Sequence, residues 1–70
     1  MGPGEFIAAV SSNIEGYRYD DGVLTVRFRN GRTYAYAGVP EQVYEGFHNA
    51  PSKGAYLHRH IKQRYVGTEI

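Results

Sequence analysis

Two dipeptides limit what this chain can fold into: Asp21-Gly22 and Asn30-Gly31 bracket the alternating stretch Val23-Leu24-Thr25-Val26-Arg27-Phe28-Arg29. Asp-Gly and Asn-Gly between apolar alternations are strong hairpin signals, because the tightest hairpin turn needs positive φ at both central residues. Ile14 to Asp20, Val23 to Arg29 and Arg32 to Ala37 therefore read as three strands of an antiparallel meander. In the middle strand Leu24, Val26 and Phe28 oppose Thr25, Arg27 and Arg29, which gives the sheet one apolar face and one wet face.

The remaining sequence supplies helices to cover the apolar face. Pro40 stands at a favoured first helical position, Val43, Phe47 and Ala50 recur at helical spacing, and Pro51 stops the run. Ser52 is the N-cap of a second helix in which Leu57, Ile61 and Tyr65 are spaced by four and Tyr56 flanks them. Gly46 and Gly54 each cost a helix about 1 kcal/mol relative to alanine, so both mark places of close backbone packing. The expected fold is α+β: a three-stranded antiparallel meander followed by two short helices packed on one face, in the order β-β-β-α-α. Residues 10–66 form the expected single domain and residues 67–70 a C-terminal tail. Residues 1–9 read as a leader, since Met1-Gly2-Pro3-Gly4-Glu5-Phe6 is small and irregular and of the kind added for expression, although Phe6 to Val10 could still pack.

A chain of 70 residues excludes doubly wound sheets, TIM barrels and α/β-hydrolases. It buries only about 60% of the surface that its unfolded form exposes. Having no cysteine, it can form neither a disulfide nor a thiolate metal site, and it has no cysteine nucleophile. Core volume must come largely from seven tyrosines and three phenylalanines, each able to bury roughly 150 to 250 Å². That requirement bears on the second hairpin, which has two possible registers. A two-residue Asn30-Gly31 loop sets Arg27 opposite Tyr34 and Thr25 opposite Tyr36, making a stacking platform on the wet face. A three-residue Arg29-Asn30-Gly31 loop with a bulge at Gly31 pairs Val26 with Tyr34 and Leu24 with Tyr36, and both tyrosines enter the core. Core volume favours the second register.

Charge is unevenly distributed. Residues 1–50 carry four arginines against six acids, and residues 51–70 carry four bases against Glu69 alone. On a helical wheel His58, Arg59, Lys62 and Gln63 share the face opposite Leu57 and Ile61, with Lys53 and Arg64 flanking it. This stripe is either a solvated face whose cations compensate the helix macrodipole or an anion-binding surface. Arg27, Arg29 and Arg32 make a second basic patch.

Other chemistry finds little support. His58 and His60 are two apart and so point about 200° away from each other on a helix, which argues against a metal site shared with His48. Ser11 and Ser12 lack a triad partner and an oxyanion-forming turn, and with Asn13 they read as a cap or turn into the first strand. Glu41 and Glu45 lie in early helical turns, where the macrodipole stabilises negative charge. None of the nine glycines falls in a phosphate-binding pattern. The expectation is a protein that is not an enzyme and takes no cofactor or metal. No stretch approaches the ~18 apolar residues of a membrane span and no secretory signal is present, so the chain reads as cytoplasmic with no membrane partner.

Val10-Ser11-Ser12-Asn13-Ile14, Tyr19-Asp20, Leu24-Thr25-Val26-Arg27-Phe28, Asn30-Gly31, Tyr34-Ala35-Tyr36, Val39-Pro40, Val43-Tyr44, Ala50-Pro51-Ser52-Lys53-Gly54 and Ile61-Lys62 with Tyr65 together form a recognisable pattern. Over Val10 to Tyr65 the chain resembles the KTSC domain family, named for a segment at the C-terminus of some lysyl-tRNA synthetases and found also as a stand-alone small bacterial protein. The synthetase association implies RNA as a partner. Two functions follow as expectations. One is an RNA-binding accessory module with Lys53, Arg59, Lys62 and Arg64 on phosphates and Arg27, Arg29 and Arg32 as a second patch. The other is a protein-interaction module that uses the open sheet face or an edge strand.

Overall fold

A computed structural model describes residues 6–9 and 13–70. Among these residues five strands form one antiparallel sheet in sequential order: β1 (Ile7–Ala8), β2 (Ile14–Asp20), β3 (Val23–Phe28), β4 (Thr33–Tyr36) and β5 (Gly67–Glu69). Between β4 and β5 lie α1 (Glu41–Asn49) and α2 (Lys53–Tyr56), and α2 runs directly into a π-helical turn over Leu57–Ile61. The α+β class and the antiparallel meander agree with the sequence expectation, and the strand number does not. Two short edge strands enlarge the sheet, one contributed by residues expected as leader and one by residues expected as tail.

Both hairpin turns follow from backbone conformation. Asp21 and Gly22 have φ of 52° and 76°, and Asp20 pairs with Val23 across a two-residue turn. At the second hairpin the Phe28 amide donates to the Arg32 carbonyl at 2.8 Å, which leaves Arg29-Asn30-Gly31 as a three-residue loop. Gly31 takes φ of 92° there, and Asn30 Oδ1 accepts from the Arg32 amide at 2.9 Å. Leu24 is thereby set opposite Tyr36 and Val26 opposite Tyr34, the register that core volume favours.

A bulge interrupts β2 between Ile14 and Gly16, so Ile14 pairs with Phe28 while Gly16 pairs with Arg27. The extra residue, Glu15, is exposed, and Ile14 stays on the same face as Tyr17. The core comprises Ala9, Ile14, Tyr17, Leu24, Val26, Tyr36, Val39, Phe47, Leu57 and Ile61. The outer face is drier than expected: Thr25 is only 4% exposed, and the Arg27 guanidinium lies over the Phe6 ring at 4.2 Å. Ser11 and Ser12, expected as a cap or turn, fall outside the described residues.

Pro40 precedes the first helical residue, and its carbonyl accepts from the Val43 and Tyr44 amides. Ala50 is extended, the conformation Pro51 imposes on the residue before it, and α1 ends there. Ser52 Oγ caps α2 by accepting from the Ala55 amide at 3.4 Å. Regular α geometry then gives way, as the Lys62 amide donates to the Leu57 carbonyl at 2.8 Å. This i→i+5 bond widens a turn that normally takes about 3.6 residues. Leu57 and Ile61 remain buried, as their spacing implies.

Candidate functional site

The wide turn decides where Lys62 goes. A regular wheel places residue 62 opposite Leu57. The π-turn instead brings it round toward the sheet, where its ammonium lies 5.4 Å from the centroid of the Phe28 ring. Phe28 ends β3 and is only partly covered by the helices, and its ring meets that of Tyr34 edge to face at 5.9 Å and 78°.

Around these three side chains a cleft of about 420 Å³ opens, lined by Phe28, Asn30, Arg32, Tyr34, Tyr36, Lys62 and Gly67. A second depression of about 270 Å³, lined by Asn13, Phe28, Arg29, Asn30 and Lys62, shares three residues with the first. Together they make a groove with an aromatic wall, two asparagine side chains and three cations. The Tyr34 hydroxyl donates to Glu69 Oε1 at 3.4 Å, so a carboxylate from β5 stands beside the groove. Gly67 is required on its wall, because a Cβ there would run into the Tyr36 ring. Burial, and then the nearby Tyr34 phenol, raise the Tyr36 pKa, so Tyr36 stays neutral and adds no negative charge.

Of the seven basic residues expected to bind phosphate, Arg29, Arg32 and Lys62 converge on this groove. Lys53 turns its ammonium to the Ala50 carbonyl at 3.4 Å. Arg59 and Arg64 are exposed and do not line the cleft. Arg27 lies on the opposite sheet face with Arg18, both over Phe6. The expected single stripe on the second helix is thus divided, because the π-turn draws Lys62 toward the sheet hairpin. Sequence reasoning did not assign Phe28, Asn13, Asn30 or Glu69 to a site. The available signal was Phe28, a large apolar residue closing an alternation beside an arginine-rich turn.

The three histidines are dispersed. His48 Nδ1 lies 2.6 Å from the Tyr17 hydroxyl, and the His60 ring packs on Tyr56 at 4.6 Å. Among the described residues no three His, Asp or Glu side chains group as a metal site would require. Nor, among these residues, is any helix long and apolar enough to cross a membrane.

The profile of the KTSC domain matches residues 10–65. The chain belongs to the KTSC domain family. A lysine–tRNA ligase of Trichormus variabilis is 45% identical over 56 residues, covering 77% of this chain, and one of a Nostoc species is equally similar. The chain spans about a tenth of the length of these ligases. A protein of Tsukamurella paurometabola is 37% identical over 57 residues and is matched over 85% of its own length. The crystal structure of a KTSC domain protein from Yersinia pestis superposes with a TM-score of 0.89 at 35% identity, covering 94% of this chain and 96% of the other. The KTSC domain therefore occurs both as a small segment of a tRNA ligase and as most of a short protein.

Proposed function

We propose that this KTSC domain is a non-enzymatic accessory module that binds RNA in the groove between the second hairpin and the π-turn. One observation carries the reading: Arg29 and Arg32 of the second hairpin and the sequence-distant Lys62 meet around the half-buried aromatic wall of Phe28 and Tyr34. Cations neutralise phosphates, and aromatic rings offer bases a stacking surface. The similarity to a segment of lysine–tRNA ligases supports the same reading. Titration with a short single-stranded RNA, followed by amide chemical shifts, tests it. Shifts should centre on residues 28–34, 62 and 67, and shifts confined to residues 58, 59 and 63 would move the site to the outer helix face.

A second reading, a protein-interaction module, draws on the exposed apolar residues Ile7, Val66 and Ile70 in or beside the two edge strands. It requires salt-insensitive self-association or peptide binding along β1 or β5, whereas phosphate binding weakens steeply with salt.

A further inference from the structure

A site built for phosphate alone has no use for a carboxylate, yet Glu69 stands on the cleft side of β5. Glu69 pairs with Tyr34 across the strands, and the alternation from Gly67, which lines the cleft, puts Glu69 on the same sheet face. Its Oε1 is 3.4 Å from the Tyr34 hydroxyl, long for an O–H···O bond, whose usual distance is about 2.7 to 2.8 Å. The carboxylate is exposed, so its lone pairs remain open to a ligand. An ionised carboxylate only accepts hydrogen bonds. A phosphate has no donor to offer it and is repelled by it, so the group that belongs beside Glu69 is a base edge.

We propose that the groove reads an unpaired guanine, with the Glu69 carboxylate accepting from the N1–H and N2–H₂ donors and Tyr34 steadying it. This rests on the RNA-binding reading and names the base it selects. Guanine alone presents two adjacent donors to match the two carboxylate oxygens. Adenine and cytosine set a ring-nitrogen acceptor beside their amino group, and uracil flanks its single N–H with two carbonyls. The aromatic wall receives the base while Arg29, Arg32 and Lys62 hold the neighbouring phosphates. Pairing in a duplex would occupy the guanine edge, so the ligand is single-stranded.

Fluorescence anisotropy with labelled RNA hexamers separates this proposal from the reading beneath it. Wild type and Glu69→Gln would each be titrated with all-A, all-U and all-C strands and with an A-strand carrying one central G, at about 50 mM salt. A bidentate base contact discriminates by about tenfold or more, so the G-containing strand should bind wild type at least about tenfold tighter than the others. Glu69→Gln should abolish or reverse the preference for G over A while keeping the same salt dependence, because a glutamine amide sets a donor against one guanine donor and matches the donor and acceptor of adenine. Equal binding of all four strands by wild type, or a guanine preference that survives in Glu69→Gln, would overturn the guanine assignment and leave RNA binding standing. No binding of any strand would overturn both. Glu69 is exposed, so the variant should fold, and a circular dichroism melt confirms that.

Discussion

The ring and hydroxyl of Tyr56 occupy the space that a side chain on Gly46 would take, and the same hydroxyl donates to the Val43 carbonyl at 3.1 Å. A mid-helix glycine thus becomes the seat on which α2 rests against α1. Alanine at position 46 would gain about 1 kcal/mol of helix propensity but would force Tyr56 off its contact, and overpacking typically costs about 1 to 3 kcal/mol. Gly46→Ala should be net destabilising by up to about 2 kcal/mol in urea unfolding. The same change made in a Tyr56→Ala background should be neutral or stabilising, and a penalty that persists there would show that Tyr56 is not its source.

Tyr34 and Tyr36 share a sheet face but not a burial. Tyr36 is 4% exposed and in the core, whereas Tyr34 is half-buried at the cleft wall. Tyr36→Ala should cost about 3 to 5 kcal/mol and Tyr34→Ala about 1 to 2, measured by denaturant unfolding. Equal losses would contradict the division between a core ring and a cleft ring.

Alkali should unfold the domain by a defined route. Burial, assisted by the neighbouring Tyr44, raises the Tyr17 pKa; burial also raises Tyr36 and Tyr44, and burial with Glu41 and Asp21 nearby raises Tyr19. A group whose pKa is higher folded than unfolded stabilises the fold fully below its unfolded value, about 10 for tyrosine, and loses that contribution as pH rises through the folded value. Stability should therefore hold to about pH 10 and fall above it, with tyrosinate absorbance near 295 nm, roughly the usual wavelength, appearing together with the loss of circular dichroism. Complete tyrosine ionisation in a still-folded protein would contradict the burial of these phenols.

Salt dependence counts the phosphates in the groove. If Arg29, Arg32 and Lys62 each neutralise one phosphate of a single strand, the slope of log affinity against log salt should be about −2.1, a loss of about twenty-fold from 50 to 200 mM. Lys62→Gln should lower the slope to about −1.4 and Arg59→Gln should leave it alone. Both are exposed, so stability should change by less than about 0.5 kcal/mol. A slope that responds to Arg59 and not to Lys62 would return the site to the outer helix face.

The parts of the fold that were legible in sequence are those set by local chemistry and by the demand for core volume. Asp21-Gly22 and Asn30-Gly31 mark the hairpins, the shortage of apolar mass selects the second register, and Ser52 and Pro51 mark helix limits. The edge strands were not legible, because Ile7–Ala8 is too short to alternate and Gly67–Glu69 has a glycine and no apolar side chain. Nor could the π-turn be read from spacing, since four-residue intervals between Leu57, Ile61 and Tyr65 suit an α-helix equally well. The groove depends on that turn. A regular helical wheel therefore sets Lys62 with Arg59 on the outer helix face, whereas in the structure it lies over Phe28 and lines the cleft with Arg32.

Strands β1 to β4 each pair with their immediate neighbour in the chain, whereas β5 reaches β4 only after both helices have intervened, with Tyr34 opposite Glu69. The hairpins close short loops, whereas β5 must close a long one, and its three residues are all exposed. Its amides should therefore exchange with solvent through local opening, well before the core strands do. Gly67 lines the cleft and Glu69 stands beside it, so that margin of the site should form late in folding and open before the core does. Any ligand that grips it would stitch β5 to the rest of the sheet.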